Sequence, residues 1–153
     1  MSIRIPEYLI NHEVPMSNII KISEAASMAI HAMVFLAGES GRIVPSREIA
    51  TTLRSSEAHL SKVMQRLAKA GLVSSMRGPK GGFVLKRSAR EISLLEVYEA
   101  IEGRLEETKC LLGQPICHGG RCIFGDLLKQ VDQQTREYLS RNMLSDLVSV
   151  FEG

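Results

Sequence analysis

The run CLLGQPICHGGRC, from Cys110 to Cys122, holds every cysteine of the 153-residue chain. Thiolates are the preferred protein ligands of iron-sulfur clusters and good ligands of zinc, so three of them in thirteen residues could converge on one metal centre. Six residues separate the first two cysteines and four the last two, with Gly113, Pro115, Gly119 and Gly120 to bend the chain between them. A disulfide scaffold is disfavoured, because the count is odd and the opening residues lack the basic start and apolar block of a secretion signal. No apolar run approaches the roughly 18 residues of a membrane helix, so a cytoplasmic protein that does not enter a membrane is expected. In a reducing compartment, clustered thiols point to metal or redox chemistry. On residue types alone, an iron-sulfur cluster, a zinc ion and a thiol switch that closes a disulfide all remain open.

The flanking segments indicate what such a centre would control. Composition is ordinary for a globular domain, 44% apolar and 24% charged, and the net charge is only +2. That charge is unevenly spread. Between Arg42 and Arg90 eleven Lys and Arg stand against two acids, a local +9, whereas residues 91–153 carry six bases and eleven acids, a local −5. A basic segment beside an acidic one fits a protein that grips a polyanion with one part of its surface.

Ile22 to Leu36 has the three-and-four spacing of a helix, and Gly38 to Gly41 end it. Pro45 and Ser46 signal a short helix over SREIATTL. Ser56 is the predicted N-cap of a second helix reaching Ala70, with Leu60, Val63, Met64 and Leu67 as its apolar stripe. The two helices and their tight turn form a helix-turn-helix. Two β-leaning runs follow, Leu72 to Met76 and Phe83 to Leu85, joined by RGPKGG. A basic, glycine-rich hairpin directly behind a helix-turn-helix is the order of a winged helix. There the second helix enters the major groove and the wing reaches the backbone or minor groove.

Off the apolar stripe, His59, Ser61, Lys62 and Gln65 offer donors or acceptors to base edges and Arg66 adds charge, while Ser46, Ser55 and Ser56 suit caps or phosphate contacts. In the wing, Arg77 and Lys80 supply charge that displaces counterions, and Gly78, Gly81 and Gly82 let the main chain come close to phosphates.

GLVSSMRGPKGGFVL, preceded by EIATTLRSSEAHLSKVMQRLAKA and followed, after ISLLEVYEAIEG, by the three-cysteine run, resembles a bacterial winged-helix family. That family includes the iron-sulfur assembly regulator IscR and the nitric-oxide sensor NsrR, and the resemblance spans Ile20 to Val148. It implies a dimeric transcription regulator whose Cys110, Cys117 and Cys122 hold a 2Fe-2S or 4Fe-4S cluster. Operator affinity would then follow the state of a cluster that senses redox, nitric oxide or iron status. The chain departs from these relatives at the fourth ligand. Gly125 stands where IscR-like sequences have a histidine, and Ser27 where NsrR-like ones have a first-helix aspartate. One turn further on, a related sensor branch uses a histidine at the position of His31. His31 of the partner subunit is therefore the expected fourth ligand, with His118, Asp126, Glu24, water or a small thiol as rivals. An acid can stand at the position of Ser61 in resembling proteins, so operator preference does not carry over.

From Cys122 to Ser140, Phe124, Leu127, Leu128, Val131, Tyr138 and Leu139 recur at helical spacing, followed by Met143, Leu144, Leu147 and Val148. Such a stripe is expected to pair with a second copy, giving a homodimer whose recognition helices fit a palindromic operator on double-stranded DNA. The expected fold is mainly α, a winged helix-turn-helix with a β-hairpin wing and a long C-terminal dimerisation helix. Its parts are an N-terminal extension (1–19), the DNA-binding domain (20–90), a linking helix with the cysteine loop (91–123), and the dimerisation helix with the C-terminal end (124–153). No paired carboxylates, Ser/His/Asp set or phosphate-binding strand-to-helix turn suggests an enzyme. The function expected is a transcription regulator governed by an iron-sulfur cluster. The alternative is a winged-helix regulator that uses its cysteines directly as a thiol redox or zinc switch.

Overall fold

The computed structural model describes residues 21–112, 114–117 and 122–152. The expected N-terminal extension lies outside the described residues, as do Gly113, His118, Gly119 and Gly120 of the cysteine run. The elements are α1 (Glu24–Gly38), α2 (Ser46–Thr52), α3 (Glu57–Lys69), β1 (Val73–Met76), β2 (Gly82–Leu85), α4 (Leu94–Glu102) and α5 (Leu127–Arg141). Short 3-10 segments occur at Ala89–Glu91 and Leu144–Phe151. The fold is thus the mainly helical winged helix-turn-helix that the periodicities predict.

Two compact units make up the chain, Lys21–Leu105 with Gln134–Gly153, and a second that includes Glu106–Gln133. In the first unit α1 is the central element, packed against α3, α4 and the C-terminal 3-10 segment. Ala26, Ala29 and Ala32 are fully buried along it. Their small side chains let neighbouring helices approach closely, and the larger Met33, Leu60, Met64, Leu67, Ile92 and Leu144 fill the space between. Leu144 is drawn in by two backbone bonds, its own N–H to Ile92 O at 3.0 Å and Leu94 N–H to Asn142 O at 3.0 Å. Phe151 then packs edge-on against Phe35 of α1, with ring centroids 5.6 Å apart.

Serine caps set the helix starts. Ser23, Ser56 and Ser93 each accept a hydrogen bond from the backbone three residues on, at 3.1, 3.2 and 3.2 Å, and Ser93 forms a full capping box with Glu96. The wing strands pair antiparallel from Val73↔Leu85 to Met76↔Gly82. A further pairing was not legible in the sequence. Val44, just before α2, exchanges both backbone bonds with Phe83 at 2.8 Å, which fastens the wing to the start of the helix-turn-helix.

Helix α5 begins five residues later than its apolar stripe, at Leu127 rather than Cys122. Gly125 adopts a left-handed φ of +54°, and its N–H closes a turn on Cys122 O at 3.0 Å, so the chain bends before the helix can start. The stripe also divides. Leu128 and Leu139 are buried within the chain, whereas Phe124, Leu127 and Tyr138 are exposed.

Candidate nucleic-acid interface and cysteine segment

With Leu60, Val63, Met64 and Leu67 turned inward, the 100° step per residue aims Ala58, Lys62, Gln65 and Lys69 directly outward from α3, and all four are exposed. Ser61 is half-buried at the edge of that face. Ala58 and Lys69 are absent from the residues that sequence reasoning picked. A helical projection centred on the apolar stripe finds both, and an alanine is suited to contact a thymine methyl.

His59 and Arg66 lie instead on the flank of α3. His59 Nδ1 is 3.9 Å from the Glu24 carboxylate on α1, and the Arg66 guanidinium donates to Ile101 O in the last turn of α4. Arg66 is thus tied to α4 while remaining exposed, and His59 makes only that long approach to an exposed carboxylate. Ser56 serves as the cap of α3, and Ser55 Oγ is buried without a hydrogen-bond partner in the turn before it. Ser46, the first residue of α2, lines a crevice of about 310 Å³ together with Arg47, Ser75, Gly78, Gly81 and Gly82. That crevice separates the helix-turn-helix from the wing.

The wing tip is a turn over Gly78-Pro79-Lys80-Gly81, closed by Gly81 N–H to Gly78 O at 2.9 Å, and Pro79 supplies the fixed φ such a turn favours at its second position. Arg77 and Lys80 are exposed, with no ion pair among the described residues. The glycines have different roles from one another. A Cβ on Gly82 would sit 2.1 Å from Val44 O, and one on Gly81 would sit 2.2 Å from Met76 O, so these two exist for internal packing. Gly78, with φ +106° and open space around it, is the glycine that leaves the tip backbone approachable.

Part of the local basic charge is already neutralised. Arg42 lies 2.5 Å from the carboxylates of both Glu39 and Glu48, tying the end of α1 to the first turn of α2. Hydrogen bonding to the Arg42 guanidinium holds the Glu48 carboxyl below its usual range, and the same contacts raise Arg42 further above its own. Arg87, just past the wing, is 2.5 Å from Glu96 of the α4 capping box. Arg47, Lys62, Lys69, Arg77 and Lys80 make no such pair among the described residues and form the charge a polyanion can use.

The cysteine segment belongs to the second unit. Cys110, Cys117 and Cys122 are free thiols, the first half-buried and the other two exposed. Among the described residues no three His, Cys, Asp or Glu side chains are gathered as a metal site. The segment is anchored on its N-terminal side by Asp132 of α5, at 8% exposure the one buried charged side chain among the described residues. Its carboxylate accepts from Thr108 N–H and, at 3.4 Å, from Thr108 Oγ1, two residues before Cys110. Asp132 and Thr108 are 24 residues apart, and nothing local in the sequence marks the pair.

His31 is exposed on α1 and lines a cleft of about 620 Å³ with Glu24, Ser27, Arg54, His59 and Phe151. Its Nδ1 lies 2.7 Å from Ser27 O. A carbonyl can only accept, so this contact needs the proton on Nδ1, and in that tautomer the ring's lone pair is on Nε2. The Ser27 carbonyl therefore orients the ring.

Comparison with known proteins adds to this geometry. The Rrf2 family profile, described as an iron-dependent transcriptional regulator, matches residues 22–150. The chain belongs to the Rrf2 family. The HTH-type transcriptional regulator IscR of Pectobacterium carotovorum is 32% identical over 131 residues, covering 84% of this chain and 79% of the relative. Its counterpart in Photorhabdus laumondii is 34% identical over the same share of each chain. Among solved structures, the global cysteine regulator CymR of B. subtilis superposes with a TM-score of 0.72 at 26% identity, covering 86% of this chain and 98% of that one. IscR of T. potens gives 0.65 at 25% identity, covering 86% and 88%. This Rrf2 protein is a DNA-binding transcription regulator, in keeping with its wing and helix-turn-helix, and the family to which it belongs is described as iron-dependent. Its relatives are transcription regulators rather than enzymes, and no helix among the described residues is long and apolar enough to cross a membrane.

Proposed function

We propose that this regulator binds a palindromic operator as a homodimer, with an affinity governed by an iron-sulfur cluster on Cys110, Cys117 and Cys122. The observation that carries the reading is that all three thiols are unpaired on one short segment of an iron-dependent regulator, with Cys117 and Cys122 open to solvent. The donor set suits the group: soft sulfur ligands, close in sequence, on a segment tied to α5 by Asp132. Bound there, a 2Fe-2S or 4Fe-4S cluster would supply a redox- and iron-responsive centre. His31 of the partner subunit is the proposed fourth ligand, supported by the lone pair that the Ser27 contact leaves on Nε2. The exposed Phe124 and Leu127 at the start of α5 offer apolar surface for the dimer.

Lys62, Gln65 and Ser61 on α3 would contact base edges, with Arg77, Lys80 and the backbone at Gly78 on phosphates. Ser46 and Arg47, beside the crevice, would add phosphate contacts. The protein side of the switch is a coupling free energy. A difference of about 1 to 3 kcal/mol between cluster-loaded and cluster-free protein gives roughly 5- to 150-fold in operator affinity.

Anaerobic purification followed by a visible spectrum and iron and sulfide assays tests the reading. Coloured protein containing both elements, lost in Cys117→Ala, supports it. His31→Ala should leave a labile cluster with an altered spectrum and weaken the dependence of DNA binding on cluster state. Protein that binds no iron or sulfide when reconstituted, yet changes DNA affinity on thiol oxidation or zinc addition, refutes the cluster and establishes the direct thiol or zinc switch.

A further inference from the structure

We infer that Arg66 is a positioning residue that sets the attitude of the recognition helix by fastening α3 to the last turn of α4, and that it does not contact DNA. This rests on the assignment of α3 as the DNA-reading helix. Sequence position alone groups Arg66 with Gln65 as an exposed polar residue. A step of about 100° around the helix separates them, and it carries Arg66 to the flank that faces α4.

The end of α4 needs what Arg66 provides. The last carbonyls of a helix have no intrahelical partner, and the helix dipole places negative partial charge there. Helix α4 ends with two acids, Glu99 and Glu102, and has no basic residue in its last turn. Glu102 is occupied by the backbone N–H and hydroxyl of Ser23, the N-cap of α1. Glu99 accepts from Leu105 N–H at 3.0 Å through its side chain and from Gly103 N–H at 3.0 Å through its carbonyl. Of the carbonyls that remain in this turn, Ile101 O is the one to which the Arg66 guanidinium donates. One cation thus caps α4 from another helix and balances its negative end.

The consequence concerns α3. Its N-terminal half is oriented by the turn from α2 and by the Ser56 cap; near its C-terminal end Leu72 N–H bonds to Leu67 O, and Arg66 is the tie to α4. Base-edge contacts from Lys62 and Gln65 require alignment to within hydrogen-bond tolerances, while phosphate contacts tolerate a tilt. Releasing Arg66 should therefore cost sequence-specific binding and spare nonspecific binding.

The test uses two duplexes, one enriched from a random pool by the wild-type protein and one of random sequence. Arg66→Gln should weaken binding to the enriched duplex about tenfold, or about 1.4 kcal/mol, with random-duplex affinity and salt slope unchanged. Amide exchange at Gly103 should also accelerate. Lys62→Gln, on the outward face, is the comparator. It removes a cation from the groove as well as a base-edge donor, so it should weaken binding to the enriched duplex and flatten the salt slope, by about 0.9 per subunit where that charge neutralises one phosphate. Arg66→Lys keeps a cation at the end of α4 and should recover most of the enriched-duplex affinity; it also serves where Arg66→Gln fails to fold. A slope that falls in Arg66→Gln as it does in Lys62→Gln makes Arg66 a phosphate contact and overturns the inference. So do equal losses on both duplexes in either Arg66 variant, or unchanged exchange at Gly103. If Lys62→Gln leaves all binding unchanged, α3 is not the reading helix and the premise itself fails.

Discussion

Replacing Arg77 and Lys80 together by alanine measures how the wing holds DNA. Both side chains are exposed at the hairpin tip without an ion-pair partner among the described residues, so removing them unmasks no buried charge and breaks no internal contact. Each phosphate neutralised on duplex DNA contributes about 0.9 to the slope of log affinity against log salt, so losing two flattens it by about 1.8 per wing. Raising salt from about 50 to about 200 mM should then weaken the double variant about 12-fold less than the wild type, and a dimer using both wings should lose about 3.6 from its slope. Arg42→Ala is the internal control. Its guanidinium is committed to Glu39 and Glu48, so its removal should leave the slope alone. Fluorescence anisotropy with labelled enriched and random duplexes at several salt concentrations gives both slopes. The reasoning is refuted if the double variant keeps the wild-type slope, or if Arg42→Ala flattens it as much as the wing pair does.

Three further outcomes are expected. Asp132→Asn replaces a carboxylate that accepts both Thr108 donors, so it should cost about 1 to 3 kcal/mol in urea unfolding and speed thiol labelling of the half-buried Cys110 relative to Cys117 and Cys122; equal labelling rates in variant and wild type would deny the anchor. Gly82→Ala forces a methyl to within 2.1 Å of Val44 O and should destabilise by about 1 to 3 kcal/mol with loss of DNA binding, whereas Lys80→Ala should leave stability unchanged; a fully stable Gly82→Ala would contradict the close approach. The depressed Glu48 carboxyl makes the Arg42 contact stabilising at neutral pH, with that contribution lost as pH falls below the ordinary glutamate value of about 4.3 towards the lower folded-state value, so Arg42→Ala should flatten the acid limb of the stability profile, and an unchanged limb would count against the pair.

The parts of the fold legible in the sequence are those written in short-range pattern. The Leu60, Val63, Met64 and Leu67 stripe, the Ser56 cap and the RGPKGG turn each specify an element within a few residues. What stayed hidden depends on partners distant along the chain. The sequence shows eleven cations between Arg42 and Arg90, and only packing reveals that Arg42, Arg66 and Arg87 are committed to acids or a carbonyl elsewhere. His59 is a base-reader candidate by type, and only packing shows that its Nδ1 lies 3.9 Å from the Glu24 carboxylate of α1. The cysteines announce themselves by kind and spacing, whereas the Asp132 anchor joins two ordinary residues across 24 positions and carries no local mark. The start of α5 was misjudged because apolar periodicity continues through Gly125 while the backbone does not.

The pairing of Val44 with Phe83 divides the hairpin into parts that evolution and engineering can treat differently. Its base is fixed, since a methyl on Gly82 would meet Val44 O, and the last residue of the turn is fixed as well, since one on Gly81 would meet Met76 O. Its tip is not: Arg77, Pro79 and Lys80 are exposed, with nothing stacked on them. A library randomised at Arg77 and Lys80, with Pro79 kept for the turn, should fold as the parent does while sampling new groove contacts. Diversity introduced two residues further along would be spent on broken scaffolds. The hairpin is therefore a cassette with a natural cut site, and operators could be retargeted by exchanging its outer end between relatives without touching the helices.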